Sequence, residues 1–117
     1  MTRDEFNGFC DSLTGTSNVV QWGGASVWKV GGKIFAICSA WGKGDHTKIS
    51  FKCSDLAYTV LTDQPGIVPA PYLARAKWVQ VEDPTVLGDA DLRDYIGAAH
   101  ALVASKLTRK ARKDLGL

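Results

Sequence analysis

Few side chains in this sequence are of the types that catalyse reactions, and their spacing matches no common catalytic arrangement. The two histidines, His46 and His100, have no serine, cysteine or acid at a diagnostic spacing. Signatures of nucleotide-binding loops, zinc proteases and serine hydrolases are absent. We therefore expect surface or boundary histidines, a largest pocket without a strongly perturbed titrating group, and a protein that is not an enzyme.

Metal and cofactor chemistry are also not predicted. Cys10, Cys38 and Cys53 lie far apart among apolar neighbours, without the close pairs that structural zinc sites use. We expect three reduced, buried thiols in a cytoplasmic protein. Asp4 and Glu5 are explained by the positive end of a helix dipole, so we expect no metal ion and no cofactor.

Basic and aromatic side chains are the better candidates for a binding surface. Lys48, Ser50 and Lys52 alternate with apolar residues, which predicts a strand with one solvated face. Such a face could contact phosphates, and nearby tryptophans could stack on bases. The candidate nucleic-acid-binding residues are Lys33, Lys48, Lys52, Arg75, Lys77, Trp78, Arg109, Lys110 and Lys113. The alternative stays open, because lysines also protect strand edges and tryptophans fill small cores.

The segment from Pro69 to Trp78 connects two parts of the predicted sheet. Pro69 and Pro71 disfavour helix before them, so the chain is extended or turning there. We predict a rigid loop that brings Arg75, Lys77 and Trp78 to the sheet edge, with a binding role and a purely structural role about equally supported.

The C-terminus carries the densest basic block, and an acid-rich stretch precedes it. Glu82, Asp83, Asp89, Asp91 and Asp94 come first along the chain. The basic block then follows, with Lys106, Arg109, Lys110, Arg112 and Lys113. Together they largely cancel, which leaves a net charge of only +2. The basic block is explained as a solvated helix end, a phosphate-contacting patch or a protein-docking surface.

Length and composition predict one domain spanning residues 1–117. At 45% hydrophobic residues the chain can form a core without disulfides or metals. No apolar run is long enough to cross a membrane, and the N-terminus does not resemble a secretory signal. We expect a monomeric protein without a membrane partner.

Changes of apolar period along the chain predict the fold class. Thr2 to Glu5 fits a capping box, and a helical stripe of Phe6, Phe9, Cys10 and Leu13 follows. Strands are predicted at 19–22, 25–30, 33–41, 47–53 and 77–81, with a hairpin turn at Gly31-Gly32. A short helix after Ser54 or Asp55 should bury Ala57, Val60 and Leu61, and Thr108 should cap a last turn. A long helix capped by Asp89 or Asp91 should have an inner stripe of Leu92, Tyr95, Ile96, Ala99, Leu102, Val103 and Lys106. The order predicts an α+β two-layer sandwich, with a mainly antiparallel sheet and helices on one face.

Several segments resemble the MmcQ/YjbR family in their order and spacing. They are Trp22-Gly23, Val30 to Ala36, Ile49 to Lys52, Ile67 to Tyr72, Lys77 to Val81 and Leu102 to Leu107. The resemblance implies a frataxin-like (CyaY-like) fold and a "double-wing" motif, and members are often labelled as DNA-binding. Trp41 departs from the family pattern as a bulky end to its strand. We therefore predict a non-enzymatic, DNA-binding domain, with a protein-interaction or regulatory adaptor as the alternative.

Overall fold

The computed structural model describes all residues from Met1 to Leu117, and a single six-stranded sheet organises them. The strands are β1 (Thr16–Gln21), β2 (Ala25–Val30), β3 (Lys33–Ser39), β4 (Lys48–Lys52), β5 (Ile67–Pro69) and β6 (Trp78–Val81). They lie in the order β1-β2-β3-β4-β6-β5, and every neighbouring pair is antiparallel. The helices are α1 (Arg3–Ser12), α2 (Asp55–Thr62), α3 (Asp89–Ala104) and α4 (Arg109–Asp114). No helix is both long and apolar enough to span a bilayer.

Short-range sequence signals determine how α1 and the central hairpin form. The Thr2 hydroxyl accepts a hydrogen bond from the Glu5 amide at 3.1 Å, and the Thr2 amide donates to the Glu5 carboxylate at 3.0 Å. The two bonds confirm the predicted capping box, and hydrogen bonding of the Glu5 carboxylate to the amide and hydroxyl of Thr2 lowers the pKa of Glu5. Gly31 and Gly32 both take positive φ in the tight turn between β2 and β3, which a residue with a side chain rarely adopts.

One face of the sheet is covered by helices and carries the main core. A cluster of 21 buried residues joins α1 and α3 to this face, and we call it the helix-covered face. Phe51 lies at its centre and stacks on Tyr95 with ring centroids 5.6 Å apart. The buried stripe of α3 includes Leu92, Ile96 and Val103, as predicted. The α+β class with helices on one face is therefore confirmed.

The opposite face is covered by loops, which the sequence did not predict. Segments 40–47 and 70–77 cover it, and we call it the loop-covered face. Its smaller apolar cluster includes Val27, Ile37 and Trp78 from the strands, with Ala70 from one of the loops. The side chains of Lys48 and Ser50 also point to this face and are buried. The predicted solvated face of β4 is therefore wrong.

Several element boundaries also differ from prediction. β1 begins at Thr16 and β3 ends at Ser39, whereas strands 19–22 and 33–41 were predicted. β6 begins at Trp78 because Lys77 has a left-handed backbone, with φ of 61°. The residue preceding α3 is Gly88, which makes no side-chain cap, so neither Asp89 nor Asp91 caps that helix.

Two buried-versus-exposed predictions for helical residues are also wrong. Val60 is exposed, because α2 contacts the sheet edge through Ala57, Tyr58 and Leu61 instead. His100 is buried: its Nε2 lies 2.7 Å from the Thr14 carbonyl oxygen, and its ring packs edge-on to another aromatic ring. Its role is to join α3 to the end of α1.

Candidate functional site

Charge is separated along the strand axis. At one end of the sheet β3 begins, β4 ends and α3 finishes, and we call it the basic end. The basic residues there are Lys29, Lys33, Lys52, Arg75, Lys77, Lys106, Arg109, Lys110, Arg112 and Lys113. The opposite end, which we call the acidic end, contains Asp4, Glu5, Glu82, Asp83, Asp89 and Asp91. The separation is incomplete, since Arg3, Lys43, Lys48 and Arg93 lie at the acidic end and Asp11, Asp55 and Asp114 at the basic end.

Almost none of this charge is neutralised by ion pairs. The one salt bridge joins the N-terminal ammonium to Asp89 at 3.0 Å, at the acidic end. No lysine or arginine side chain lies within salt-bridge distance of a carboxylate. The positive field of the basic end is therefore available to an external anion.

Three lysines converge on one groove at the basic end, and we call it the lysine groove. Lys33, Lys52 and Lys106 line it together with Trp78 and Leu102, and it encloses about 240 Å³. Its walls come from the start of β3, the end of β4, the turn at Ala74–Ala76 and the last turn of α3.

The hairpin at Gly31 brings two of these lysines together. A methyl group built on Gly31 would meet Leu107 Cδ1 at 2.6 Å, so the hairpin lies directly against the segment that follows α3. Lys33 comes shortly after that glycine, and Lys106 immediately precedes that leucine. Only glycine permits this approach, because its φ is +59° and no Cβ fits.

Lys52 has a structural contact as well as a place in the groove. Its Nζ donates a hydrogen bond to the Ala76 carbonyl oxygen. The bond ties the turn at Ala74–Ala76 to β4 and leaves Arg75 exposed beside the groove. The predicted loop between the prolines and β6 therefore does bring Arg75 to this edge of the sheet.

Three of the candidates predicted from the sequence have side chains that are buried or engaged in contacts within the protein. Lys48 is 1% exposed, and its Nζ donates to the carbonyl oxygens of Gly44 and His46 at 3.1 and 2.9 Å. Trp78 is 4% exposed beneath segment 70–77, so it cannot stack on a ligand. Lys77 is half-buried and its Nζ lies 4.8 Å from the centroid of the Tyr58 ring, in a cation–π contact. Lys48 and Trp78 are corrections to the predicted site, and Lys77 is a weaker candidate than predicted.

The remaining candidates lie on α4, outside the groove. Arg109, Lys110 and Lys113 are all exposed on this short helix, whose first turn is capped by the Thr108 hydroxyl. Leu107 and Leu115 place α4 at the basic end, because they approach Gly31 and Gly15.

The largest pocket lies elsewhere, on the loop-covered face, and sequence reasoning did not find it. Trp22, Trp41, Tyr72 and Leu73 line about 380 Å³, and we call this the aromatic pocket. The ring centroids of Trp22 and Trp41 are 5.7 Å apart, and those of Trp41 and Tyr72 are 5.9 Å apart. The signals available in sequence were a tryptophan before Gly23-Gly24 and the unexpected Trp41.

Titrating groups with shifted pKa values lie outside both of these sites. Burial raises the pKa of Cys10 to about 12 and raises the pKa values of Cys38 and Cys53. Hydrogen bonds from Thr85 lower the pKa of Asp83, which lies at the acidic end. The three thiols belong to the helix-covered core, so they are held neutral and inert.

The fold and this arrangement of charge define a small α+β protein with one helix-covered face and one loop-covered face. A family profile described as YjbR matches residues 11–102. The chain belongs to the YjbR family. The predicted family resemblance is thus confirmed.

Two solved structures are similar to the whole fold. A Deinococcus radiodurans protein with a DUF419 domain has a TM-score of 0.86 at 24% identity, covering 99% of this chain and 88% of its own. A Pseudomonas syringae protein has a TM-score of 0.72 at 22% identity, covering 88% of this chain and 99% of its own. Identities this low show the shared fold alone. Among curated proteins no sequence matches.

Proposed function

We propose that this protein binds nucleic acid without catalysis, through phosphate contacts at its basic end. The observation behind the proposal is the segregation of unpaired positive charge, in a chain whose net charge is only +2. Such a field steers a polyanion to one end of the molecule and away from the other.

The lysine groove is the strongest part of this surface. Basic residues near the C-termini of α3 and α4 can be explained as solvated helix ends, where the helix dipole favours positive charge. This explanation does not account for Lys33 and Lys52, which lie on strands and face the same groove as Lys106. Bringing three like charges together costs Coulomb energy unless an anion offsets it.

Phosphate contacts alone position a nucleic acid and do not read its sequence. The predicted preference for DNA therefore stays part of the proposal, as does the double-wing motif that the family resemblance implies. Cytoplasmic location and a monomeric state also remain predictions.

The test is the salt dependence of binding to duplex DNA, RNA and single-stranded DNA. Each phosphate contact on a duplex should add roughly −0.9 to the slope of log K against log salt. Three or four contacts would weaken binding roughly 40-fold to 150-fold between 50 and 200 mM salt. Charge reversal at Lys110 and Lys113 should make the slope shallower without changing base preference. No binding of any of the three nucleic acids at low salt would end the proposal.

A protein-interaction or regulatory adaptor is the second candidate, and the aromatic pocket favours it. An exposed apolar pocket rimmed by aromatic rings is also a surface that protein partners bury. A pull-down from the same preparation, repeated with oligonucleotide as competitor, separates the two functions. A partner that the oligonucleotide does not displace, together with no nucleic-acid binding, would favour the adaptor.

A further inference from the structure

Two of the four side chains that line the aromatic pocket contribute little to the buried core. Trp22 is 51% exposed and Tyr72 is 92% exposed, although both are large aromatic residues. Trp41 is half-buried and contacts both rings, and Leu73 packs against the small apolar cluster. Burial therefore does not explain why the two outer positions carry aromatic rings.

The backbone conformation of Trp22 and Tyr72 is also unfavourable for large side chains. Trp22 has φ of 54° and Tyr72 has φ of 68°, in the left-handed region where bulky residues are rare. Trp22 opens a turn whose next residues, Gly23 and Gly24, also have positive φ. Glycine would fit this position without strain. Strained, exposed aromatic residues that gather around one pocket point to a ligand.

The chemistry of the pocket and its surroundings indicates which ligand. Its lining is wholly apolar, so it offers flat ring faces and no groups that could read the edges of a base. Segment 70–77 continues from Tyr72 to exposed Arg75 and then to Ala76, which holds Lys52 in the lysine groove. The aromatic pocket and the positive charge are thus linked by a few residues of one loop.

We propose that the aromatic pocket takes an unpaired base of a single-stranded nucleic acid whose phosphates follow Arg75 toward the lysine groove. The inference rests on the proposed nucleic-acid binding and specifies its form. A single strand combines a flat aromatic ring with a run of negative charge, which matches the two surfaces together. A duplex keeps its bases stacked and cannot offer a ring to this pocket.

The decisive variant is Trp22→Gly, because glycine suits the left-handed turn and we expect the variant to keep its fold. The matched control is Leu56→Ala, which removes an exposed apolar side chain from α2, on another part of the surface. Each protein is titrated at low salt with an oligothymidylate and with an abasic oligomer of equal length. Stacking of one base predicts that Trp22→Gly weakens binding of the oligothymidylate roughly 5-fold to 150-fold. Binding of the abasic oligomer should not change, and Leu56→Ala should bind both as the unmodified protein does.

Other outcomes separate this inference from the proposed function. Equal loss of both oligomers, or no loss of either, would overturn base stacking while salt-dependent binding through the lysine groove could still stand. Absence of any nucleic-acid binding would overturn both. Choline is titrated in parallel, with tryptophan fluorescence as the readout. A response to choline, together with unchanged oligothymidylate binding by Trp22→Gly, would identify the pocket as a cation cage instead.

Discussion

The helix-covered and loop-covered faces of the sheet solve the same burial problem by different means. The helix-covered face closes with a large apolar cluster drawn from the strands and the packed helices. The loop-covered face has a much smaller apolar cluster and buries the polar side chains Lys48, Ser50 and Gln80. The first face holds the fold together, and the second uses polar side chains to hold loops in place.

Hydrogen bonds from strand side chains hold the loops in place on the loop-covered face. Gln80 Nε2 donates to the Trp41 carbonyl oxygen at 3.0 Å, which fixes the residue at the centre of the aromatic pocket. Lys48 holds the same loop further along, at Gly44 and His46. Hydrogen bonding on this face is incomplete, because Ser50 Oγ and Gln80 Oε1 are buried without a hydrogen-bond partner. Unpaired buried groups cost free energy, and here the cost accompanies a positioned binding surface.

The largest effect should come from the centre of the helix-covered face. Phe51→Ala removes a fully buried ring stacked on Tyr95, and it should lower the free energy of unfolding by about 3–5 kcal/mol. Chemical denaturation with a two-state fit measures this change. A loss below about 1 kcal/mol would mean that this face is not the main source of stability.

Alkaline pH should also act on the helix-covered face, which contains all three thiols. The pKa of the Cys10 thiol is near 9.0 when unfolded and about 12 when folded. Between these two pH values the unfolded chain has lost a proton that the folded chain keeps, so the free energy of unfolding falls as pH rises. Below the lower value the contribution of Cys10 to stability is fully present. The slope from Cys10 alone should reach about 1.4 kcal/mol per pH unit. Denaturation curves of Cys10→Ala over this range should show a shallower decline, and an identical decline would contradict the assignment.

A smaller effect is expected when the buried ammonium group of the loop-covered face is removed. Lys48→Met keeps the length of the side chain and removes two hydrogen bonds to carbonyl groups of exposed residues, which water can replace. The free energy of unfolding should change by no more than about 1 kcal/mol. The salt slope of nucleic-acid binding should stay the same, because Lys48 has no exposed charge to offer. A shallower slope would return Lys48 to the binding site.

The smallest effect on stability should come from Trp22→Gly. Relief of the left-handed backbone offsets the lost contact with Trp41, so stability should stay within about 1 kcal/mol of the unmodified protein. Thermal unfolding measures this directly. A loss comparable to that of Phe51→Ala would show that the aromatic pocket belongs to the core.

Local signals in the sequence predicted much of the fold. The capping box at Thr2, the turn at Gly31-Gly32 and the stripe of α3 each depend on residues close in sequence, and all three are confirmed. The alternation in β4 correctly separated Ile49 and Phe51 from Lys48. It could not show that a loop covers the lysine side, because that cover depends on the contact between Gln80 and Trp41, far apart in the chain.

The candidate site was predicted less completely, for the same reason. Lys33, Lys52 and Arg75 were identified from residue type and do lie at the basic end. The groove itself requires Leu107 to pack on Gly31, and the aromatic pocket gathers rings from three separate segments. These contacts join residues far apart in the chain. They leave no periodic pattern in the sequence, so composition and alternation cannot predict them.

Binding through the lysine groove is tested most directly by removing its two freely exposed charges together. Lys33→Gln with Lys106→Gln leaves intact the bond from Lys52 to Ala76, so the turn that forms the groove is preserved. Lys43→Gln removes an exposed charge at the acidic end and serves as the control. On duplex DNA the double variant should make the slope of log K against log salt shallower by roughly 1.8, and the control should leave it unchanged. A slope unchanged in the double variant, or shifted as much per charge by Lys43→Gln, would contradict binding through the lysine groove.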